Sequence, residues 1–232
     1  LQTVNGIALH QQGFMGGGMH IAIIDAGFFQ FSSLPLTAHL SSNNQILGTY
    51  DFVDPGNNVT DDDAHGMQVL SILAGWQPGQ YIGAAPEASY WLFRTEDIIS
   101  EYPIEADYWL CAAEKADSAG VDVITSSLGY AYYSNASMNL TYSGLDGSSR
   151  VSVAANMAVS KGMVVVNSAG NEGNKWWKYV MTPADAPNVL AVGAVSADSI
   201  WAPFSSLGPT ADRRTKPDVM AMGVQTAVQA FD

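Results

Sequence analysis

The stretch MHIAIIDAG, residues 19–27, decides the fold. Its apolar residues run without alternation and end on Asp25 and Gly27, which predicts a strand buried on both faces of a parallel sheet. The same pattern returns in ASYWLF (88–93), VDVITSSLG (121–129), GMVVVNSAGN (162–171) and NVLAVGAV (188–195). Between these runs the period changes. In IEADYWLCAAEKADSAG, positions 106, 109, 110, 113 and 116 share one helical face, and in SRVSVAANMAVSKG positions 151, 154, 155, 158 and 159 do so. Both segments finish in glycine, a helix stop. Strands alternating with helices imply right-handed crossovers and a three-layer α/β/α architecture around a mainly parallel central sheet. No repeat, low-complexity run or linker divides the chain, so residues 1–232 read as a single domain. In such a sheet, function gathers at the carboxyl ends of the strands.

Composition limits the partners. The chain has 232 residues, 47% of them hydrophobic, enough for one well-packed core. A formal charge of −13 with nine Lys and Arg argues against a nucleic-acid partner and against an anionic membrane surface, both of which require clustered cations. No apolar run is long enough to span a bilayer, so membrane insertion is not expected. The single cysteine, Cys111, excludes an intrachain disulfide and a CxxC site, and its place in YWLCAAEKA reads as a buried structural thiol.

Three residues at or near strand ends carry chemistry. Asp25 closes the first run, and a carboxylate there is costly to bury unless something donates to it. Asn171 closes the fourth, in NSAGNEGN. His65 stands in TDDDAHGMQVLSILAG (60–75), where an acidic loop meets an apolar helical run. Each alone also fits a local role: Asp25 as the cap of the next turn, Asn171 as a turn residue, His65 as a helix-start residue. Together they describe more. An aspartate that accepts from an imidazole N–H fixes the tautomer, the other ring nitrogen acts as general base, and a carboxamide donates to a developing oxyanion. The order Asp, His, amide is one of those in which such groups occur along a chain. A nucleotide site is not supported, because DAGFFQF lacks GxGxxG.

On these residues the sequence resembles the subtilisin-like serine proteases, or subtilases. IAIIDAGF is similar to their Asp motif, HGMQVLSILAG to their His motif, SSLG to their substrate-binding strand and NSAGNEG to their oxyanion motif. FSSLGPTADRRTKPDVMAMG resembles the stretch leading to their nucleophile, and RTEDIISEYP with DAGF is most like members from Bacteroidetes. The resemblance implies a subtilisin-like fold and a secreted or extracytoplasmic bacterial endopeptidase that needs no cofactor and acts on protein or peptide substrates. It implies that Asp25 orients the imidazole, His65 is the general base and Asn171 the oxyanion donor. Ser127, Leu128 and Gly129 would pair with an extended substrate, and Ser168, Ala169 and Gly170 would line the wall of the P1 pocket.

The resemblance also implies a serine in a GTSxAxP motif, and neither that motif nor a GxSxG elbow occurs in these residues. The expectation is that the serine lies beyond residue 232, on the C-terminal remainder of the same protein. Three accounts fit: a piece of an active protease, a serine on a separate chain after cleavage, or a lineage that has lost it. The last would make the chain a catalytically inactive peptide-binding module.

Met67 and Gln68 depart from the family's usual Thr and His, which implies altered packing behind the site. Asp63, two residues before His65, is expected beside the P2 pocket, where with Asp61 and Asp62 it would favour Lys or Arg. DFVDPGNNVTDDDAHG is oxygen-rich without EF-hand spacing, so no metal ligand is assigned, and a structural calcium is left open. His10, His20 and His39 read as surface or strand-edge residues. Glu96, Asp97, Glu101, Glu105 and Asp107 read as an acidic patch around a loop, solvated or else flanking the substrate cleft.

Overall fold

The computed structural model describes residues 1–60 and 63–230. Among them, α1 (Gly6–Gln11), β1 (His20–Asp25), α2 (His39–Ser42), β2 (Ile46–Asp51) and α3 (His65–Ala74) are followed by a short antiparallel hairpin, β3 (Trp76–Gln77) and β4 (Tyr81–Ile82). Then come β5 (Ser89–Arg94), α4 (Ile104–Ser118), β6 (Val123–Ser126), α5 (Arg150–Ser160), β7 (Val164–Ser168), β8 (Leu190–Val195) and β9 (Val219–Met222). The central sheet has the order β2-β5-β1-β6-β7-β8-β9, with every pairing parallel.

All five apolar runs form strands, and both periodic segments form helices. Besides the β3–β4 hairpin, two strands of the central sheet are additional among the described residues, the edges β2 and β9. β2 alternates and is broken by a register shift near Gly48, where the Trp91 ring occupies the space a side chain would need, and β9 is a short apolar run, VMAM, that the sequence reading did not single out. Edge strands bury less, so their sequences carry a weaker signal.

Successive residues of β1 face opposite layers. Ile21 and Ile23 pack with Met67, Leu70 and Ala74 of α3. Ala22 and Ile24 pack with Trp109, Ala112, Ala113 and Ala116 of α4 and with Ala155 of α5. Full burial of a Leu, Ile or Phe stabilises by about 1.5–3 kcal/mol, so these two interfaces hold α3 and α4 to the strand that carries Asp25. In α4 the buried stripe runs through Ala106, Trp109, Ala113 and Ala116, as the periodicity predicts. Cys111 corrects the reading of a buried thiol: it is exposed, because it lies off that stripe.

The α3 layer covers only part of its face. Register carries Ile21 and Ile23 of β1 across to Val123 and Thr125 of β6, then to Val164 and Val166 of β7, and on to Leu190 and Val192 of β7's neighbour β8. Toward β9 this face is open: Val164 is 52% exposed, Leu190 38% and Val219 45%. Parallel sheets ordinarily carry helices on both faces. Among the described residues, no helix is long and apolar enough to cross a membrane.

Candidate active site

Asp25 ends β1 and His65 begins α3, so two rigid elements bring together side chains forty positions apart. Gly66 permits the approach: a Cβ there would lie 2.5 Å from the Gly27 carbonyl oxygen and 2.8 Å from Asp25 Cβ. His65 Nδ1 lies 2.6 Å from Asp25 Oδ1, which also accepts the Ala26 N–H at 2.8 Å. Asp25 is fully buried, whereas the His65 side chain is 48% exposed. One ring nitrogen is thus held by the carboxylate inside the fold, on an imidazole that reaches solvent at the strand ends. The hydrogen bond to Asp25 holds His65 above its ordinary value of 6.5, burial opposes this, and the charges of Asp25 and Asp63 add to it. Asp63 Oδ1 accepts the His65 backbone N–H at 2.7 Å, anchoring the first turn of α3.

Behind the turn lies Arg94, a residue that sequence reasoning missed. It is in register with Asp25 on β1 and Asp51 on β2. Its Nη1 donates to Asp51 Oδ2 at 2.8 Å, and its Nε donates to the Ala26 carbonyl at 3.2 Å. All three residues are buried. Arg94 shares the signal that singled out Asp25, a charged residue closing an apolar strand.

Beside His65 opens a cavity of about 500 Å³ bordered by Asp63, Glu96, Glu101, Glu105, Ser127 and Leu128. The expectation of a solvated acidic patch is corrected here. Glu96 and Glu105 are buried, 9% and 1% exposed. Glu96 Oε1 accepts from Tyr130 Oη at 2.7 Å and from Thr95 Oγ1 at 2.8 Å, while Glu105 accepts the Asp97 and Tyr102 N–H groups and ties down the loop. Burial, with the neighbouring Glu105 and Glu101 charges adding, pushes Glu96 up to about 8 against the pull of its hydrogen bonds. Glu101 is pushed up to about 7 by burial and by Glu105. Oxygens of Glu96, Glu101 and Glu105 fall within 4.8 Å of one another, the one such convergence of carboxylates among the described residues. The oxygen-rich loop where calcium was left open is a different segment, and its Asp61 and Asp62 lie outside the described residues.

Ser127 also borders a second cavity, of about 470 Å³, with Ser168, Asn171, Val166, Val192, and Val69 and Ile72 of α3. Asn171 is exposed there, across Ser127 from the cavity that holds His65. Ser127–Gly129 follows β6, and Ser168–Gly170 spans the end of β7 and the residues after it. Asn167 braces the two segments, donating from Nδ2 to the Leu128 carbonyl at 3.0 Å and to the Ser168 carbonyl at 2.8 Å. The residues singled out in the sequence therefore fall into two groups sharing Ser127: Asp25, His65 and Asp63 on one side, Ser168 and Asn171 on the other.

A buried carboxylate bonded to a half-exposed imidazole at the carboxyl ends of a parallel sheet is suited to general-base chemistry. The model of the subtilase family, peptidase S8, matches residues 16–231, and the chain belongs to that family. It is 31% identical to subtilisin NAT of Bacillus subtilis subsp. natto over 227 residues, 97% of this chain and 51% of that protein. It is 29% identical to serine protease AprX of Bacillus subtilis over 231 residues, covering 92% of this chain and 48% of that one. The chain thus spans about half the length of these curated relatives. Among solved structures, the prenylagaramide maturation protease PagA superposes with a TM-score of 0.67 at 18% identity, covering 94% of this chain and 68% of that one. MycP1 with its N-terminal propeptide removed gives 0.63 at 23% identity, covering 88% and 65%. Those two likenesses show the subtilisin-like α/β fold.

Proposed function

We propose that this chain is the Asp–His part of a serine endopeptidase whose nucleophilic serine lies on the segment following residue 232. The observation that carries the reading is the 2.6 Å contact between buried Asp25 and half-exposed His65, set in a family of serine proteases. In this mechanism His65 takes the serine proton through its outer nitrogen as the hydroxyl attacks the scissile carbonyl. Asp25 fixes the tautomer and stabilises the imidazolium. Asn171 and the serine's own N–H donate to the oxyanion. His65 then passes the proton to the leaving amine, and water hydrolyses the acyl-enzyme by the same route in reverse.

The partly bare face from β6 to β9 supports a further segment of the same protein. It adjoins α3 and borders the cavity shared by Asn171 and Ser168, so an apolar segment seated there reaches the site. The substrate pairs with Ser127–Gly129, and its P1 side chain, on the residue giving the scissile carbonyl, enters between that edge and Ser168–Gly170. Asp63 with the neighbouring carboxyls favours a Lys or Arg at P2. No cofactor takes part in these steps. By family likeness the enzyme is secreted or extracytoplasmic and of the Bacteroidetes type. In the longer protein, His65→Ala abolishes hydrolysis of a peptide library while the circular dichroism spectrum is retained; hydrolysis that survives this change rejects the proposal.

A further inference from the structure

Gly129 and Gly170, one on each proposed wall of the P1 subsite, meet the same side chain. A Cβ at Gly129 would lie 2.8 Å from Met181 Cβ and 3.2 Å from its Sδ. A Cβ at Gly170 would lie 3.1 Å from both Met181 Cγ and Sδ. The thioether therefore lies against both walls, in the space that their missing side chains leave. Its root is fixed: the Met181 N–H donates to the Ala169 carbonyl at 3.1 Å, and the Tyr130 N–H donates to the Thr182 carbonyl at 2.8 Å. The Met181 backbone is thus bonded to one wall, while its neighbour Thr182 is bonded to Tyr130, the residue after the other wall. It also packs against the buried cluster of Ala131, Leu145 and Trp177.

Methionine adapts by rotating its outer bonds, and such rotation moves Sδ and the methyl group. It does not move Cβ, which stands closest to the Gly129 wall. From this geometry we infer that Met181 closes the floor of the P1 subsite and restricts P1 to glycine, alanine or serine. The inference rests on the proposed hydrolase reading and specifies its substrate class. Met181 adjoins Ala131 and Trp177, and the polar atom beside Gly170, Ser206 Oγ, is a neutral hydroxyl that accepts the Glu172 N–H at 3.0 Å, while the Glu172 carboxylate is engaged by Lys175 at 2.9 Å. The selection is accordingly by size and not by charge.

The test measures kcat/KM on peptides that differ only at P1, with the longer protein, each rate normalised to the fraction of sites titrated by a small fluorophosphonate. The wild type favours Ala over Phe at P1 by about 100-fold, and Met181→Gly moves the Phe-to-Ala ratio toward Phe by about 10- to 100-fold, the range that steric fit in an apolar pocket supplies. Met181→Ala, which keeps Cβ, moves it less. Wild-type enzyme that cleaves after Phe as well as after Ala overturns the inference, as does an unchanged ratio in both variants that titrate. Absence of titration in folded wild-type protein instead defeats the hydrolase reading itself.

Discussion

The α3-side face of the sheet has two halves, and they differ in kind. Under β1 and β5 it is closed: Ile23, Leu92, Leu70 and Met67 are all fully buried, and the Asp25–His65 pair sits at the edge of that packing. From β7 to β9 the same face shows Val164, Leu190 and Val219 to solvent, beside the cavity that Asn171 borders. One half holds the proposed base and the acid that orients it. The other has the strands, the small residues and the amide, without a covering layer. On the proposed reading the segment that brings the nucleophile also covers this open half, so that folding and catalysis depend on the same segment.

The comparison can be broken first at its closed half. Asp25→Asn in the longer protein lowers kcat/KM by about 10⁴-fold, because the imidazole loses its tautomer and its charge partner. The acidic limb of the rate profile is a second readout. Wild-type His65 must lose its proton to act as base, and its raised value puts that limb above 6.5. Removing the Asp25 hydrogen bond and charge moves the limb to lower pH. A variant with an unmoved limb contradicts the assignment.

Asn171 tests the other half. Asn171→Ala costs about 10²- to 10³-fold in kcat with KM little changed, a magnitude carried over from the oxyanion asparagine of subtilisin itself. A loss confined to KM assigns Asn171 to substrate binding instead.

Stability separates the halves next. Leu70→Ala in the covered half costs about 2–5 kcal/mol by urea denaturation. If the open half is covered in the longer protein, Val192→Asp there is comparable, since it buries a charge. A cost under about 1 kcal/mol for Val192→Asp means that this face stays in water.

The smallest effect is at Asp63. Asp63→Asn reduces the preference for Lys or Arg at P2 by about 3- to 5-fold, the scale of a partly exposed charge pair. An unchanged preference removes Asp63 from specificity and leaves it the role its hydrogen bond to the His65 N–H already gives it.

Much of this was legible in the sequence. The interior strands announced themselves as unbroken apolar runs, and α4 and α5 by their period, because burial on both faces or on one stripe constrains every residue. Asp25 and His65 were legible because a carboxylate closing such a run needs a donor. The edge strands β2 and β9 were not: β2, paired on one side, alternates, and the four residues VMAM of β9 are too short a run to stand out. The Arg94–Asp51 pair also escaped, because its partners are forty-three positions apart and only the β2-β5 register joins them. Glu96 and Glu105 misled for a related reason. Acidic residues in a loop look solvated until the fold lays Tyr130 and the start of α4 over them. Met181 had no signal at all: its importance lies in the two glycines that face it from separate loops.

Fluorophosphonate labelling of the longer protein, with the adduct mapped by mass spectrometry, decides whether Asp25 and His65 serve a nucleophile. The account predicts one modified serine C-terminal to residue 232, with labelling lost in His65→Ala. Folded protein that acquires no serine adduct, or one whose labelling is indifferent to His65, contradicts it.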